Sequence, residues 1–136
     1  EFPNENSKVT TNNKTRILWN APKTWLIISS KENIIDIIKG KCSEENFAIT
    51  DISHSRAVIQ IKGAQAREVL KKGCPLNINE FKVNNCAGSV FHGITIVVDC
   101  VKDNPDTFNL LTLRSFGESF YYHITDAALE FGYVGV

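Results

Sequence analysis

The stretch of sequence that decides the fold is residues 86–113, CAGSVFHGITIVVDCVKDNPDTFNLLTL. Its apolar and β-branched residues fall into three runs, which are interrupted by the pair His92-Gly93 and by the turn sequence DNPD at 103–106. Runs of this composition that are separated by short turns are typical of antiparallel strands joined as hairpins. The predicted strands cover residues 86–91, 94–101 and 107–113.

An amphipathic helix is predicted directly after the last of these strands, over residues 116–131. Apolar residues recur there at intervals of three and four, which places them on one face of an α-helix. The motif Ser115-x-x-Glu118 predicts a capping box at the start of the helix, and Gly132 predicts its end. The residues of the apolar face are Phe116, Phe120, Ile124, Ala127 and Phe131.

Upstream of residue 86, short strands alternate with short helices. The motif Ser29-x-x-Glu32 predicts a capping box for the first helix, and Gly40 is placed to end that helix in the left-handed conformation. The predicted strands cover residues 16–19, 25–29, 47–52 and 57–62, and the predicted helices cover 31–39 and 64–72. The resulting order, ββα, ββα, βββα, predicts an α+β fold with an antiparallel sheet and helices on one of its faces.

The length of 136 residues is that of one domain. The first fifteen residues, EFPNENSKVTTNNKT, are polar and show no periodicity. Because such a segment offers little apolar surface to offset the entropy of ordering it, we predict a mobile N-terminal arm over residues 1–15. A single α+β domain is predicted over residues 16–136.

The charges of the chain balance, with 15 Lys and Arg residues against 15 Asp and Glu residues. A nucleic-acid-binding protein or a polybasic membrane anchor would carry a basic excess, so the composition argues against both classes. The sequence has no run of 18 apolar residues and no apolar signal segment at its start, and we expect a cytoplasmic protein. Zero net charge disfavours a small protein that stays alone in solution, which suggests that a partner covers part of the surface.

The cysteines and histidines do not predict a metal site. Cys42, Cys74, Cys86 and Cys100 form no C-x-x-C pair, and the three histidines lie on three different predicted elements. We expect four free thiols. Gly63 lies between a predicted strand and a predicted helix but lacks the G-x-G-x-x-G spacing, so no nucleotide or other cofactor site is predicted.

The hexapeptide Asp51-Ile52-Ser53-His54-Ser55-Arg56 is the best candidate for catalysis. In an extended segment, however, Ser53 and Ser55 point to one side and His54 and Arg56 to the other, so a nucleophile and its base would not converge. The preferred interpretation is a polar turn, in which Asp51 or Ser53 bonds to the nearby backbone. We therefore predict no catalytic residue in this chain.

Tyr121 and Tyr122 lie outside the apolar face of the last helix. At least one of them is expected on the surface, where aromatic residues are enriched in protein interfaces. Single exposed aromatic residues are also common in monomers, so the pattern leaves both interpretations open.

Several segments, taken in order, resemble the gamma subunits of heterotetrameric sarcosine oxidase. The resemblance covers residues 16–132, and no single motif in it is specific alone. It departs from the family pattern at Asn77, where an acidic residue is expected, and at Gly117, where alanine is usual. The segments that carry it are Trp25-Leu26-Ile27, residues 51–59 (DISHSRAVI), Gly63, residues 66–70 (AREVL), residues 72–76 (KGCPL), Cys86-Ala87 and Arg114-Ser115-Phe116.

The resemblance implies a ferredoxin-like arrangement similar to the folate-binding domain of the aminomethyltransferases. It also implies a complex that oxidatively demethylates sarcosine to glycine, with tetrahydrofolate as the one-carbon acceptor. In such a complex FAD, FMN, NAD, zinc and tetrahydrofolate are held on or between the other subunits, so this chain is expected to bind no cofactor. Its role would be that of a non-catalytic subunit, with the alpha, beta and delta subunits as partners. The residues predicted to contact a partner are His54, Arg56, Arg114, Tyr121 and Tyr122.

Two alternatives to the subunit role remain. One is a stand-alone folate or small-molecule binding protein of the aminomethyltransferase type. The other is a ferredoxin-like RNA-binding module, which needs exposed aromatic residues and basic residues together on the sheet. Phe91 and Phe108 lie on predicted strands, but Lys and Arg residues do not cluster near them.

Overall fold

A computed structural model describes residues 1–12, 14–43 and 45–136, and within them the chain forms two antiparallel sheets and three α-helices. The strands are β1 Val9–Asn12, β2 Thr15–Ala21, β3 Thr24–Ser29, β4 Arg56–Lys62, β5 Cys86–Phe91, β6 Ile94–Lys102 and β7 Thr107–Leu113. The helices are α1 Ile34–Lys39, α2 Ala66–Lys71 and α3 Gly117–Ala128, with 3-10 turns at Ile78–Glu80 and Arg114–Phe116.

The larger sheet contains the stretch from which the sequence prediction began. Its strand order is β4-β7-β6-β5, and every neighbouring pair is antiparallel. The predicted β5–β6 hairpin is confirmed: His92 and Gly93 adopt φ angles of 47° and 83°, the left-handed pair that a two-residue type I′ turn requires. The strands on either side of α2 lie at opposite edges of this sheet, whereas a ferredoxin-like order places a single strand between them.

Helices α2 and α3 cover one face of the larger sheet. Their apolar residues pack against alternate residues of β5, β6 and β7, as the twofold side-chain period of a strand requires. The α+β class is therefore confirmed, and α2 and α3 share one face as predicted. Helix α1 does not, because it lies with Val58 and Leu111 on the other side of the sheet. Phe91 and Phe108 are fully buried in this core, so they cannot stack on RNA bases as the RNA-binding alternative requires.

The opposite face of the larger sheet packs against the second sheet, whose strand order is β1-β2-β3. The apolar contact between the sheets comes from Val9, Leu18, Cys86, Val97 and Leu111, with Leu26 and Ile28 packed against them. A bidentate ion pair joins the sheets as well. The Arg16 guanidinium donates from Nε to Asp99 Oδ2 at 2.8 Å and from Nη2 to Asp99 Oδ1 at 2.6 Å, and the Asp99 side chain is fully buried.

The prediction of a mobile arm over residues 1–15 is wrong. Residues 9–12 form β1, which pairs in register with β2, and Val9 is buried between the sheets. Nearer the N-terminus, the Trp25 indole N–H donates to the Pro3 carbonyl at 3.0 Å. The segment looked too polar to be ordered, but a strand needs only an open edge and one buried side chain, and β2 supplies the edge.

The predicted strand over residues 47–52 is also wrong. This segment belongs to no strand, although its composition suits one. No backbone amide or carbonyl of residues 48–51 is hydrogen-bonded to another residue that the structure describes. A strand is defined by its pairing, and the described part of the chain places no neighbour beside this segment.

Neither predicted capping box is formed. The Ser29 hydroxyl oxygen accepts from the Lys31 amide at 3.1 Å, and α1 begins three residues later than predicted, at Ile34. A 3-10 turn precedes α3, and Phe116 is 47% exposed instead of lying on the buried face of that helix. Gly40 has a right-handed φ of −69°, so α1 does not end in the left-handed conformation. The Ser29 oxygen is thus used by a local turn, whereas Gly40 ends α1 in the right-handed conformation.

Candidate functional site

The candidate site is a cleft of about 800 Å³ beside the two sheets. It is lined by β3, by α1, by residues 46–53 and by the part of β4 that the smaller sheet leaves uncovered. Ile59 and Ile61 of β4 pack toward the helices, so the alternate residues Arg56 and Val58 face the cleft side. We call this feature the cleft.

Most of the cleft wall is apolar. Helix α1 contributes Ile34, Ile35 and Ile38, although none of its residues is fully buried. Val58 is 55% exposed beside Leu111, its partner across the β4–β7 ladder. Amphipathic helices normally bury their apolar stripe, so a half-buried stripe beside an open cleft indicates an incomplete core.

An aromatic stack lies at the rim of the cleft. The Phe2 ring lies 4.7 Å from the Trp25 ring and 5.8 Å from the Phe47 ring, measured between centroids. Phe2 therefore bridges the edge strand β3 and the unpaired segment that contains Phe47. This contact links the two walls of the cleft through the first residues of the described chain.

The cleft also has charged groups, a carboxylate and a guanidinium, which differ in their hydrogen bonding. Asp51 Oδ1 accepts from the Ser53 hydroxyl at 2.5 Å and from the Ser53 amide at 2.9 Å. These two hydrogen bonds, the hydroxyl one first, lower the pKa of Asp51. Arg56, in contrast, has a buried Nε with no hydrogen-bond partner among the described residues. The cleft therefore carries an uncompensated guanidinium, a group that favours a carboxylate.

The hexapeptide at 51–56 forms a polar turn, as predicted. The Ser53 hydroxyl donates to Asp51, and the Ser55 hydroxyl donates to the Ile52 carbonyl at 2.8 Å. Within the described chain, neither serine is hydrogen-bonded to His54. The turn therefore does not assemble a nucleophile with its base.

The structure separates the predicted partner-contacting residues into two groups. His54, Arg56 and Arg114 lie close together, because the Arg114 amide donates to the Ser55 carbonyl at 2.9 Å where β4 begins and β7 ends. Tyr121 and Tyr122 lie on α3, which packs on the other face of the sheet, and are 48% and 65% exposed. The expected exposure of a tyrosine is confirmed, and the contact of all five residues with a partner stays a prediction.

All four cysteines are free and buried. Burial first, and then the nearby Asp99, raises the pKa of the Cys86 thiol to about 11, and burial with Asp103 raises that of Cys100 to about 11. Such thiols stay protonated at neutral pH and are poor nucleophiles. These two cysteines therefore act as small core residues.

Two further features escaped the sequence analysis. His92 and His123 lie side by side on the surface with ring centroids 5.3 Å apart, although they come from the β5–β6 turn and from α3. The cleft itself was missed, because its walls are distant in sequence. Over the residues that the structure describes, no group of three or more His, Cys, Asp or Glu side chains is arranged to hold a metal ion. In the same part of the chain, no helix is long and apolar enough to cross a membrane.

Comparison with known proteins gives consistent matches. A model of the sarcosine oxidase, gamma subunit family matches residues 1–130. The sarcosine oxidase subunit gamma of Corynebacterium sp. (strain U-96) is 29% identical over 121 residues, which are 86% of this chain and 58% of the relative. The subunit gamma of Corynebacterium sp. (strain P-1) is 25% identical over 120 residues, which are again 86% of this chain and 58% of the relative. The chain therefore spans 58% of the length of the curated relatives that it matches.

A solved structure is similar as well. A chain of the heterotetrameric sarcosine oxidase from Corynebacterium sp. U-96, in complex with pyrrole 2-carboxylate, superimposes with a TM-score of 0.89 at 26% identity. The superposition covers 99% of this chain and 70% of that chain. The two-sheet arrangement described above is therefore shared over nearly all of this chain.

Proposed function

This chain belongs to the sarcosine oxidase gamma subunit family, and from that membership we propose that it is a non-catalytic subunit of a heterotetrameric sarcosine oxidase. The observation that carries the proposal is the similarity over 99% of the chain to one chain of such a heterotetramer. The complex would demethylate sarcosine oxidatively to glycine, with tetrahydrofolate as the one-carbon acceptor. It would be cytoplasmic.

The chemistry of the complex is proposed to lie on the other subunits. The alpha, beta and delta subunits would hold FAD, FMN, NAD, zinc and tetrahydrofolate on or between them. The hexapeptide at 51–56, the candidate for catalysis in the sequence, satisfies its hydroxyl groups locally. A role in assembly fits the half-buried apolar stripe of α1 and the exposed Val58 better than a role in catalysis.

Co-purification from the native host tests the proposal. The chain, tagged at its C-terminus, should recover a flavin-containing larger subunit in a fixed ratio, as seen by mass spectrometry and by flavin absorbance. A copy tagged in the same way but lacking residues 56–62, the β4 strand, serves as the unfolded control. Recovery of no flavoprotein by the intact chain would overturn the subunit role.

The cleft supports a second candidate, a stand-alone folate or small-molecule binding protein. Its volume of about 800 Å³ lies within the range of small-molecule sites. Titration of tetrahydrofolate into the purified chain, followed by calorimetry, separates the two proposals. Tight binding by the chain alone would favour this candidate, and absence of binding would favour the subunit role.

A further inference from the structure

We propose that the cleft receives an extended, acidic segment of another subunit, which adds a β-strand between β3 and residues 48–51 and places a carboxylate on Arg56. This inference rests on the proposed subunit function and adds to it the location and chemistry of the contact. It follows from three features of the cleft: unpaired backbone groups, an uncompensated cation and an apolar wall.

The unpaired backbone groups favour a polypeptide over a small molecule. β3 is the edge strand of the order β1-β2-β3, so the amides and carbonyls on the side away from β2 have no strand neighbour in the described chain. The backbone of residues 48–51 is likewise unbonded to described residues. Unpaired edges are templates for an added strand, and main-chain hydrogen bonds supply the affinity in that mode of recognition.

The charge of the cleft selects an acidic segment. The buried Nε of Arg56 has no partner in the described residues, and Lys23 also lines the cleft. The Asp51 carboxylate already accepts two hydrogen bonds from Ser53, which reduces its capacity to compensate either cation. An incoming Asp or Glu could form the bidentate pair that a guanidinium prefers.

The apolar wall selects the side chains around that carboxylate. Ile34, Ile35 and Ile38 of α1 line the cleft with Val58 and Leu111. Because neighbouring side chains of a strand point to opposite faces, an added strand would turn one set of residues toward this wall. An extended segment with alternate apolar residues and one acidic residue fits the cleft best.

Hydrogen exchange tests the backbone part of the proposal. The full chain is compared free and in the complex assembled with its co-expressed partner subunits. We expect alternate amides within residues 48–51 to exchange about 100-fold or more slowly in the complex, because an added strand would hydrogen-bond every second one. The amides of α2, which lies on the other face of the sheet, serve as the internal reference. Equal exchange at 48–51 in both states would overturn the proposal.

Charge reversal tests the carboxylate. Arg56→Glu should reduce recovery of the larger subunit by about tenfold or more, since it places like charges together. Lys62→Glu is the matched control, because it reverses a charge at the far end of the same strand and outside the cleft. The thermal melt of each free variant confirms that it folds. Equal recovery with both variants would overturn the cleft inference while leaving the subunit role intact.

Proline substitution tests the added strand separately from the charge. Ile49→Pro and Thr50→Pro each remove an amide donor but suit an extended backbone, whereas Ile49→Val and Thr50→Val keep the donor. Because adjacent amides point to opposite edges, we expect one of the two proline variants, and neither valine variant, to lose the partner. Retention of the partner by both proline variants would overturn the added strand. A dimer of the free chain that Arg56→Glu abolishes would place a second copy in the cleft and would overturn the proposal.

Discussion

Arg16 and Asp99 form the ion pair that ties the two sheets together. The carboxylate is fully buried and the guanidinium is 16% exposed. Removal of one member of a buried pair is strongly destabilising, because the other charge remains without water or a partner. The pair therefore adds a buried electrostatic contact to the apolar packing between the sheets.

Arg16→Ala should lower the free energy of unfolding by about 3–5 kcal/mol. Urea denaturation at pH 7 measures this loss, and Lys39→Ala, at an exposed position on α1, is the control. The double variant Arg16→Met/Asp99→Leu should recover most of the loss, since neither charge is then buried alone. A loss below about 1 kcal/mol for Arg16→Ala would mean that water already reaches Asp99.

The thiols of Cys86 and Cys100 predict a loss of stability in alkali. Their pKa is raised from 9.0 to about 11 in the folded chain, so folding favours the neutral thiol. The unfolded chain releases these protons first, and the contribution is therefore complete below pH 9 and is lost as the pH rises from 9 through 11. Urea denaturation across that range should show the decline, and Cys86→Ala/Cys100→Ala should show a shallower one. An equal decline of stability with pH in the native chain and in the double variant would contradict the role of these two thiols.

The turn after α2 packs closely against the β5–β6 turn. A Cβ atom built on Gly73 would lie 2.9 Å from Phe91 Cζ and 2.9 Å from His92 Cδ2, whereas one on Gly88 would meet nothing within 4 Å. Gly73 thus lets the chain pass directly against the β5–β6 turn. The glycine requirement at this point is steric and local.

Gly73→Ala should destabilise the fold by about 1–3 kcal/mol, because Phe91 is fully buried and cannot move aside freely. Thermal or urea denaturation gives the difference. Gly88→Ala is the matched control and should change stability by less than about 0.5 kcal/mol. A neutral Gly73→Ala would show that the β5–β6 turn shifts without cost.

Replacement of an apolar side chain by Ala should reduce the stability of the fold less in α1 than in α2. Leu70 of α2 is fully buried, and its replacement by Ala should cost about 2–5 kcal/mol. Ile35 of α1 is half-buried, and its replacement by Ala in the free chain should cost less than half as much. Denaturation of both variants tests the ranking, and the reverse order would show that α1 packs as a core helix.

The elements also show what sequence patterns can and cannot predict. The β5–β6 hairpin and α2 are predicted correctly, because each depends on a local sequence signal. These signals are the turn pair His92-Gly93, which adopts the left-handed conformation, and apolar residues at helical spacing in α2. Residues 47–52 have the composition of a strand but no pairing neighbour in the described chain. Composition favours an extended backbone, but it cannot supply the neighbour that makes a strand. The prediction for the N-terminal segment is wrong for the opposite reason. The order of β1 comes from its pairing with β2 and not from the composition of its own residues.

At the scale of the whole molecule, the α+β class was predictable and the second sheet was not. A helix layer follows from the apolar spacing of α2 and α3. Docking of β1–β3, in contrast, uses contacts between residues distant in sequence, such as Arg16 and Asp99, which are 83 residues apart. The cleft was unpredictable for the same reason, because its walls meet only after the sheets have packed. The candidate site is thus a product of tertiary structure.

The free chain should be least soluble near neutral pH. Its net charge is zero and its isoelectric point is about 7.1, so little repulsion offsets association through exposed apolar residues. Light scattering at increasing concentration should show the strongest attraction near pH 7 and weaker attraction at pH 5.5 and 8.5. The assembled complex serves as the control and should show no such maximum of attraction near pH 7. An attraction that does not vary with pH would contradict the expectation.

The chain contains two tryptophans, and they face each other across β2 and β3 as Trp19 and Trp25. Trp25 also stacks on Phe2 at the rim of the cleft. A Trp19→Phe variant would therefore keep a single tryptophan, which lies at the cleft rim and can be excited selectively. Its emission wavelength and quenching by iodide would report occupancy in real time, which turns the aromatic stack into an intrinsic optical probe of subunit association.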